Sequence, residues 1–191
     1  DVGIEGMIAG PSEITVVADK LLDMSKVITS MIAQSEHGIN SQSILITKNE
    51  KLIKNINKKI NIYLKKIPRK NIIIQSLKKN GLLILAKNNQ QIVNIINMIS
   101  PEHLELLSKD YKKLLSNIYN VGSIGLGIYS PVAASDYNVG TNHTLGTLGS
   151  ARFASGLNLN DFYKKISRFT LSKKGIDCLL YTSPSPRDLS T

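Results

Sequence analysis

Glu13-Ile14-Thr15-Val16-Val17-Ala18, then the stretch Met24 to Glu36, then Ser43-Ile44-Leu45-Ile46, decide the fold. The first run is brief and β-branched, which reads as a strand. In the middle stretch Val27, Ile28, Met31 and Ile32 fall on one helical face, with Asp23 placed as an N-cap and Gly38 as the stop. The third run is a second strand. A strand, a one-sided helix and a strand at this spacing make a βαβ unit, with parallel strands and the helix laid over one face.

Downstream the alternation continues. Thr47 followed by Glu50 has the spacing of a capping box and opens a Lys-rich helix that ends before Pro68. A further helix is predicted over Asn71 to Lys79, Asn80-Gly81 breaks it, and Leu82-Leu83-Ile84-Leu85-Ala86 is a third strand. Asn88 or Asn89 caps a helix that Ser100-Pro101 ends. Leu104-Glu105-Leu106-Leu107 is short and allows a strand; a Lys-rich helix near Tyr111 to Ser116 and a Gly-rich strand over Gly122 to Gly127 follow. The expected class is α/β, with Rossmann-like βαβ units and a mostly parallel sheet. Ligands are expected beyond the carboxyl ends of its strands. No Gly-x-Gly-x-x-Gly lies between a strand and a helix: the run from Gly122 to Gly127 is Gly-x-x-Gly-x-Gly, the wrong way round for the dinucleotide fingerprint.

From Tyr129 to Gly156 the texture changes to Gly, Ser, Thr, Asn, Asp and Pro with little periodicity, too long for a connector and read as a functional loop region. A helix is predicted to resume over Leu159 to Ser167. The last residues, Leu179 to Thr191, lack the Lys/Asn/Ile texture found upstream and resemble translated adapter sequence. The organisation expected is an incomplete α/β domain over 1–157, the truncated start of a small C-terminal helical domain over 158–176, and a non-native tail over 177–191. Asp1 to Gly6 hold no initiator methionine and read as the middle of a longer chain.

Composition narrows the classes. Of 191 residues, 42% are hydrophobic and 20% charged, which are globular values rather than those of a disordered chain. No apolar run approaches the length of a membrane span. Cys178 is the single cysteine, so no internal disulfide forms, a reducing compartment fits, and a metal must find His, Asp, Glu or amide ligands. The net charge of +10 suggests an anionic partner. The excess is mostly Lys among Asn and Ile, as in Lys51 to Lys66, with few Arg and few interleaved aromatics. That pattern fits solvated helix faces better than phosphate or base readout, so neither nucleic acid nor membrane is expected as a partner.

Three histidines carry the candidate chemistry: His37, His103 and His143. Gln34 and His37 are three apart and share a face of one helical turn, able to present an amide oxygen and an imidazole nitrogen to one point; a histidine at a helix end is also commonplace. Glu102 and His103 are adjacent at a helix-to-strand junction and offer two proton-transfer groups with different reference pKa values, although an ordinary surface loop can hold the same pair. Asp136, seven residues before His143 in a Gly-rich loop, can reach a metal or close an Asx-turn. By themselves these residues support an α/β domain with a His/Asp metal site and no more.

Six motifs in one order go further: Ala9-Gly10-Pro11-Ser12-Glu13, Gln34-Ser35-Glu36-His37, Ser41-Gln42-Ser43, Pro101-Glu102-His103-Leu104, Asp136-Tyr137 with Gly140-Thr141-Asn142-His143, and Ala151-Arg152-Phe153-Ala154-Ser155-Gly156-Leu157. Each is weak alone; the ordered set, with its spacing, resembles the second half of the histidinol dehydrogenase family over about Asp1 to Gly175. The resemblance implies a zinc-dependent, cytoplasmic homodimer (plastid in a photosynthetic eukaryote) that oxidises histidinol to histidine through histidinal, with NAD as acceptor. It matches Gln34, His37 and Asp136 to zinc ligands. It matches Ser12, Gln34, His37, His103 and Asp136 to substrate contacts, and Glu102 and His103 to the catalytic acid/base pair. It implies a fourth zinc ligand, a histidine from the neighbouring subunit, and NAD-holding residues upstream; neither has a counterpart in this chain. The fragment alone is therefore expected to be inactive. Two other readings stand beside it: a basic α/β nucleic-acid-binding module, and a metal-binding remnant without catalysis.

Overall fold

The computed structural model describes residues 8–20, 23–65, 67–109, 111–135, 137 and 139–182. Asp136 and positions 183–191 of the expected tail lie outside the described residues. The chain divides into two compact units, Asp1–Asp161 and Phe162–Thr191.

The first unit is a βαβ array: β1 Glu13–Val17, α1 Met24–Ser35, β2 Gln42–Thr47, α2 Glu50–Leu64, α3 Lys70–Asn80, β3 Gly81–Leu85, α4 Asn89–Ile99, β4 His103–Leu106, α5 Tyr111–Leu115, β5 Ser123–Leu126 and the short α6 Val132–Ser135. The five strands form one sheet in the order β3-β2-β1-β4-β5, and every pairing is parallel. The order reverses between β1 and β4, so the sheet is wound in both directions from its centre.

Alternation along the strands assigns the two faces. Ile14, Val16 and Leu45 pack with Val27, Ile28 and Met31 of α1 and Leu52 and Ile56 of α2. Val17, Ile44, Ile46, Leu104 and Leu106 pack on the other face with Ile92, Val93 and Ile96 of α4 and Leu114 of α5. Each strand of the central three is covered on both sides, as parallel sheets require. The lysines of α2 (Lys51, Lys54, Lys58 and Lys59) are exposed, so this part of the positive charge lies on a solvated helix face.

At the carboxyl ends, where the chain reverses direction of winding, a polar network ties the strands together. Asp19 accepts from the Lys48 backbone N–H at 3.1 Å and from Ser108 Oγ at 2.7 Å, and Lys48 Nζ lies 3.7 Å from the same carboxylate. Lys48 Nζ also donates to Asn89 Oδ1 at 2.7 Å.

Three local expectations are corrected. Asp23 does not cap α1: its backbone is already helical, at φ −83 and ψ −3, and its buried side chain makes no cap hydrogen bond. The capping box of Thr47 and Glu50 does not form, because α2 begins at Glu50 itself; Asn49 is the cap and accepts from the backbone N–H groups of Lys51 and Leu52. Thr47 ends β2, and its Oγ1 accepts from the Asn49 N–H instead. The helix predicted over Leu159 to Ser167 is only a 3-10 turn, Leu159–Phe162. Phe162, Ile166 and Phe169 are 74%, 69% and 87% exposed. Local bonds hold the turn: the Asn158 N–H donates to Asp161 Oδ2 at 2.7 Å, and Asn158 Oδ1 accepts from the Asn160 N–H at 2.9 Å. In the second unit helix resumes at α7, Lys173–Thr182, where Ser172 Oγ accepts from the Gly175 N–H at 3.1 Å.

Candidate active site

Helix α1 starts near the carboxyl end of β1 and runs back beside it, so its last turn returns to the amino ends of the strands. Ser12 immediately precedes β1, Glu102 precedes β4, and His103 is the first residue of β4. Ser12, Gln34, His37, Glu102 and His103 consequently line one cavity of about 450 Å³, with His143 also on its wall. Asp136, also singled out in the sequence, lies outside the described residues. The expectation that ligands gather beyond the carboxyl ends is not met by this group: it sits at the opposite edge. The carboxyl-end rule draws on helix N-termini and Gly-rich turns that receive phosphate. This chain lacks that fingerprint, and the cavity is bordered by the C-terminal end of α1.

Glu102 and His103 stand side by side in the lining of the cavity. Glu102 and His103 are both buried. Glu102 Oε2 accepts from the backbone N–H of Glu13 at 2.8 Å, which fixes the carboxylate against the start of β1. Its Oε1 stands 3.7 Å from His103 Nε2, too far for a hydrogen bond and close enough for an ion pair when the imidazole is protonated. Gly122 permits this placement: a Cβ there would come within 2.6 Å of the Glu102 carbonyl oxygen. The Gly122 and Ser123 N–H groups donate to the carbonyls of Pro101 and Glu102.

The opposite wall is the end of α1. His37 is exposed, and its Nδ1–H donates to the Ala33 carbonyl at 3.0 Å. A carbonyl can only accept, so Nδ1 is the donor in this contact, and a neutral ring held this way could offer Nε2 to a metal. Gln34 is buried, lines the cavity, and its amide makes no hydrogen bond to another described residue. The negative end of the helix dipole favours a cation at this point. The donor set thus fits zinc in type, with the amide oxygen the less common ligand. Among the described residues no cluster of three His, Cys, Asp or Glu is present; Gln34 and Asp136 fall outside that count.

The motif serines Ser35, Ser41 and Ser43 do a different job. Ser35 Oγ and Ser43 Oγ are 2.9 Å apart, and Ser43 donates to the Met31 carbonyl at 3.0 Å, which pins the last turns of α1 to β2. Ser76 Oγ donates to the Ser41 carbonyl at 2.8 Å. These contacts position Gln34 and His37 rather than reach the cavity.

One ionisable lining residue escaped the sequence reading. Glu105 is buried, on the same strand face as His103, two residues on. Burial pushes its carboxyl above the ordinary value, opposed by hydrogen bonds from the Val132 N–H and Ser30 Oγ. The signal was available: the glutamate interrupts the short apolar run Leu104-Glu105-Leu106-Leu107 and falls on the face that His103 occupies. Glu13 is likewise raised by burial, opposed by its backbone hydrogen bonds with Leu148 and Glu102.

Comparison with known proteins agrees with the motif order. The family model described as "Histidinol dehydrogenase" matches residues 1–182. The histidinol dehydrogenase of Pelagibacter ubique is 52% identical over 179 residues, covering 94% of this chain and 42% of the relative. That of Methanosarcina barkeri is 41% identical over 174 residues, covering 91% of this chain and 40% of the relative. The crystal structure of histidinol dehydrogenase from Elizabethkingia anophelis superposes with a TM-score of 0.81 at 37% identity, covering 90% of this chain and 39% of that one. The chain therefore spans about 40% of the length of the curated relatives it matches, and it belongs to the histidinol dehydrogenase family.

Proposed function

We propose that the full-length protein carrying this chain oxidises L-histidinol to L-histidine through histidinal, and that this chain supplies most of the zinc and substrate site. The observation that carries the reading is the convergence of Ser12, Gln34, His37, Glu102 and His103 on one cavity. Gln34, His37 and Asp136 would hold zinc. When bound, zinc would orient the substrate's imidazole and amine, and NAD would accept the two hydrides. NAD and a fourth zinc ligand are proposed to be held by other parts of a homodimer of the whole protein.

The chain's own residues then divide the work. Ser12, at the cavity wall, contacts the substrate. His103 takes the alcohol proton at a ring nitrogen in the first oxidation. Glu102, its Oε2 anchored by the Glu13 N–H, accepts a proton from the water that adds to the aldehyde. His103 acts again in the second oxidation. Burial of the pair keeps bulk water from competing and helps retain the aldehyde.

The test is stoichiometry. Purified full-length protein with limiting histidinol and excess NAD should yield two NADH per histidine formed, and a chelator should abolish the reaction. One NADH per histidinol with free aldehyde, or turnover untouched by metal removal, contradicts the proposal.

A further inference from the structure

Glu105 is 2% exposed, yet no lysine or arginine neutralises it among its hydrogen-bond partners. A buried carboxylate is costly unless something needs it. Its two oxygens go to two different elements. Oε2 accepts from Ser30 Oγ at 2.7 Å, and Oε1 accepts from the Val132 backbone N–H at 2.8 Å. Ser30 lies one turn before Gln34 on the same face of α1. Val132 opens α6, Val132–Ser135, and the next residue in the chain is Asp136. A second tie runs parallel to the first: Lys26 Nζ donates to the Ile128 carbonyl at 3.1 Å and lies 5.4 Å from the centre of the Tyr129 ring.

We propose that Glu105 is a positioning residue: its carboxylate ties the helix that carries Gln34 and His37 to the start of α6, and so fixes where those two ligands stand at the cavity. The inference rests on the zinc reading above and adds a residue to it. Glu105 reaches the metal only through other residues, as groups behind a ligand shell do. A purely structural glutamate would lower stability when removed and leave metal affinity alone.

The experiment compares full-length parent, Glu105→Ala, Glu105→Gln and Ser30→Ala. Zinc affinity is measured by competition with a chromogenic chelator, the Co²⁺-substituted visible spectrum reports ligand geometry, and Tm is taken zinc-free. Glu105→Ala is expected to weaken zinc by about 10–100-fold, the usual range for a group behind the ligands, and to shift the Co²⁺ bands. Glu105→Gln keeps an acceptor for the Val132 N–H and should recover most of the affinity. Ser30→Ala removes one arm at a half-buried position, so it tests the bridge even where Glu105→Ala fails to fold; it should weaken zinc without a matching fall in Tm. Parent-like zinc affinity in Glu105→Ala or Ser30→Ala, with only Tm reduced, overturns the positioning role and leaves the zinc reading intact. A parent that holds no zinc overturns the zinc reading, and this inference with it.

Discussion

At the residue scale the site is defined by how each group is held. Glu102 is oriented by a main-chain donor, and this separates its expected role from that of His103. In the full-length protein, Glu102→Gln should keep zinc and substrate binding while turnover slows by about 10²–10⁴-fold, the usual contribution of a general acid/base. Single-turnover kinetics with histidinal as substrate should show the loss in the second oxidation; a variant as fast as the parent across pH removes Glu102 from the chemistry. Glu105 gives a separate prediction about stability. Its pKa is raised above 4.5, so the folded state holds that proton more tightly than the unfolded state does. The stabilisation is complete below the unfolded value and is lost as pH rises through the folded one. The Tm of the parent relative to Glu105→Gln should therefore fall as pH rises above 4.5. A difference that stays constant from acid to alkaline pH contradicts the assignment.

At the scale of elements, the strands and main helices were legible because alternation and one-sided periodicity survive burial: β1, β2 and α4 lie within two residues of their predicted spans. Helix starts were less legible. Asp23, Thr47 and Asn49 are all plausible caps by composition, and only backbone conformation shows that Asn49 accepts the N–H bonds of its helix. The sequence also could not say which edge of the sheet holds the site, because that depends on α1 returning its last turn to the amino ends. Glu105 was missed for a related reason: its two partners are 75 and 27 residues away. The clearest element-level prediction concerns the β4–β5 contact. Gly122→Ala places a Cβ 2.6 Å from the Glu102 carbonyl oxygen, so backbone must move. A loss of about 1–3 kcal/mol is expected from denaturant unfolding, together with slower turnover as Glu102 shifts. An unchanged midpoint would mean that the two strands separate there without cost.

At the scale of the whole molecule, the two units differ in how well they bury themselves. The first has covered both faces of its central strands. In the second, Phe162, Tyr163, Phe169 and Leu180 are largely exposed. Apolar surface of this kind is expected to be covered by other parts of the full-length protein. The 191-residue chain alone should therefore bind ANS and elute above its monomer mass in gel filtration, and a monomer with no dye binding would contradict this. The family assignment and the parallel sheet stand independently of that result, whereas the proposed zinc site rests on the ligand roles given to Gln34, His37 and Asp136. The most direct test of that site is the metal content of the full-length His37→Ala variant beside its parent, after exhaustive dialysis and gel filtration near neutral pH. The parent is expected to carry stoichiometric zinc. The variant is expected to lose zinc and activity together. A His37→Ala protein that retains stoichiometric zinc would show that His37 is not a ligand and that the cavity at the end of α1 is not the metal centre.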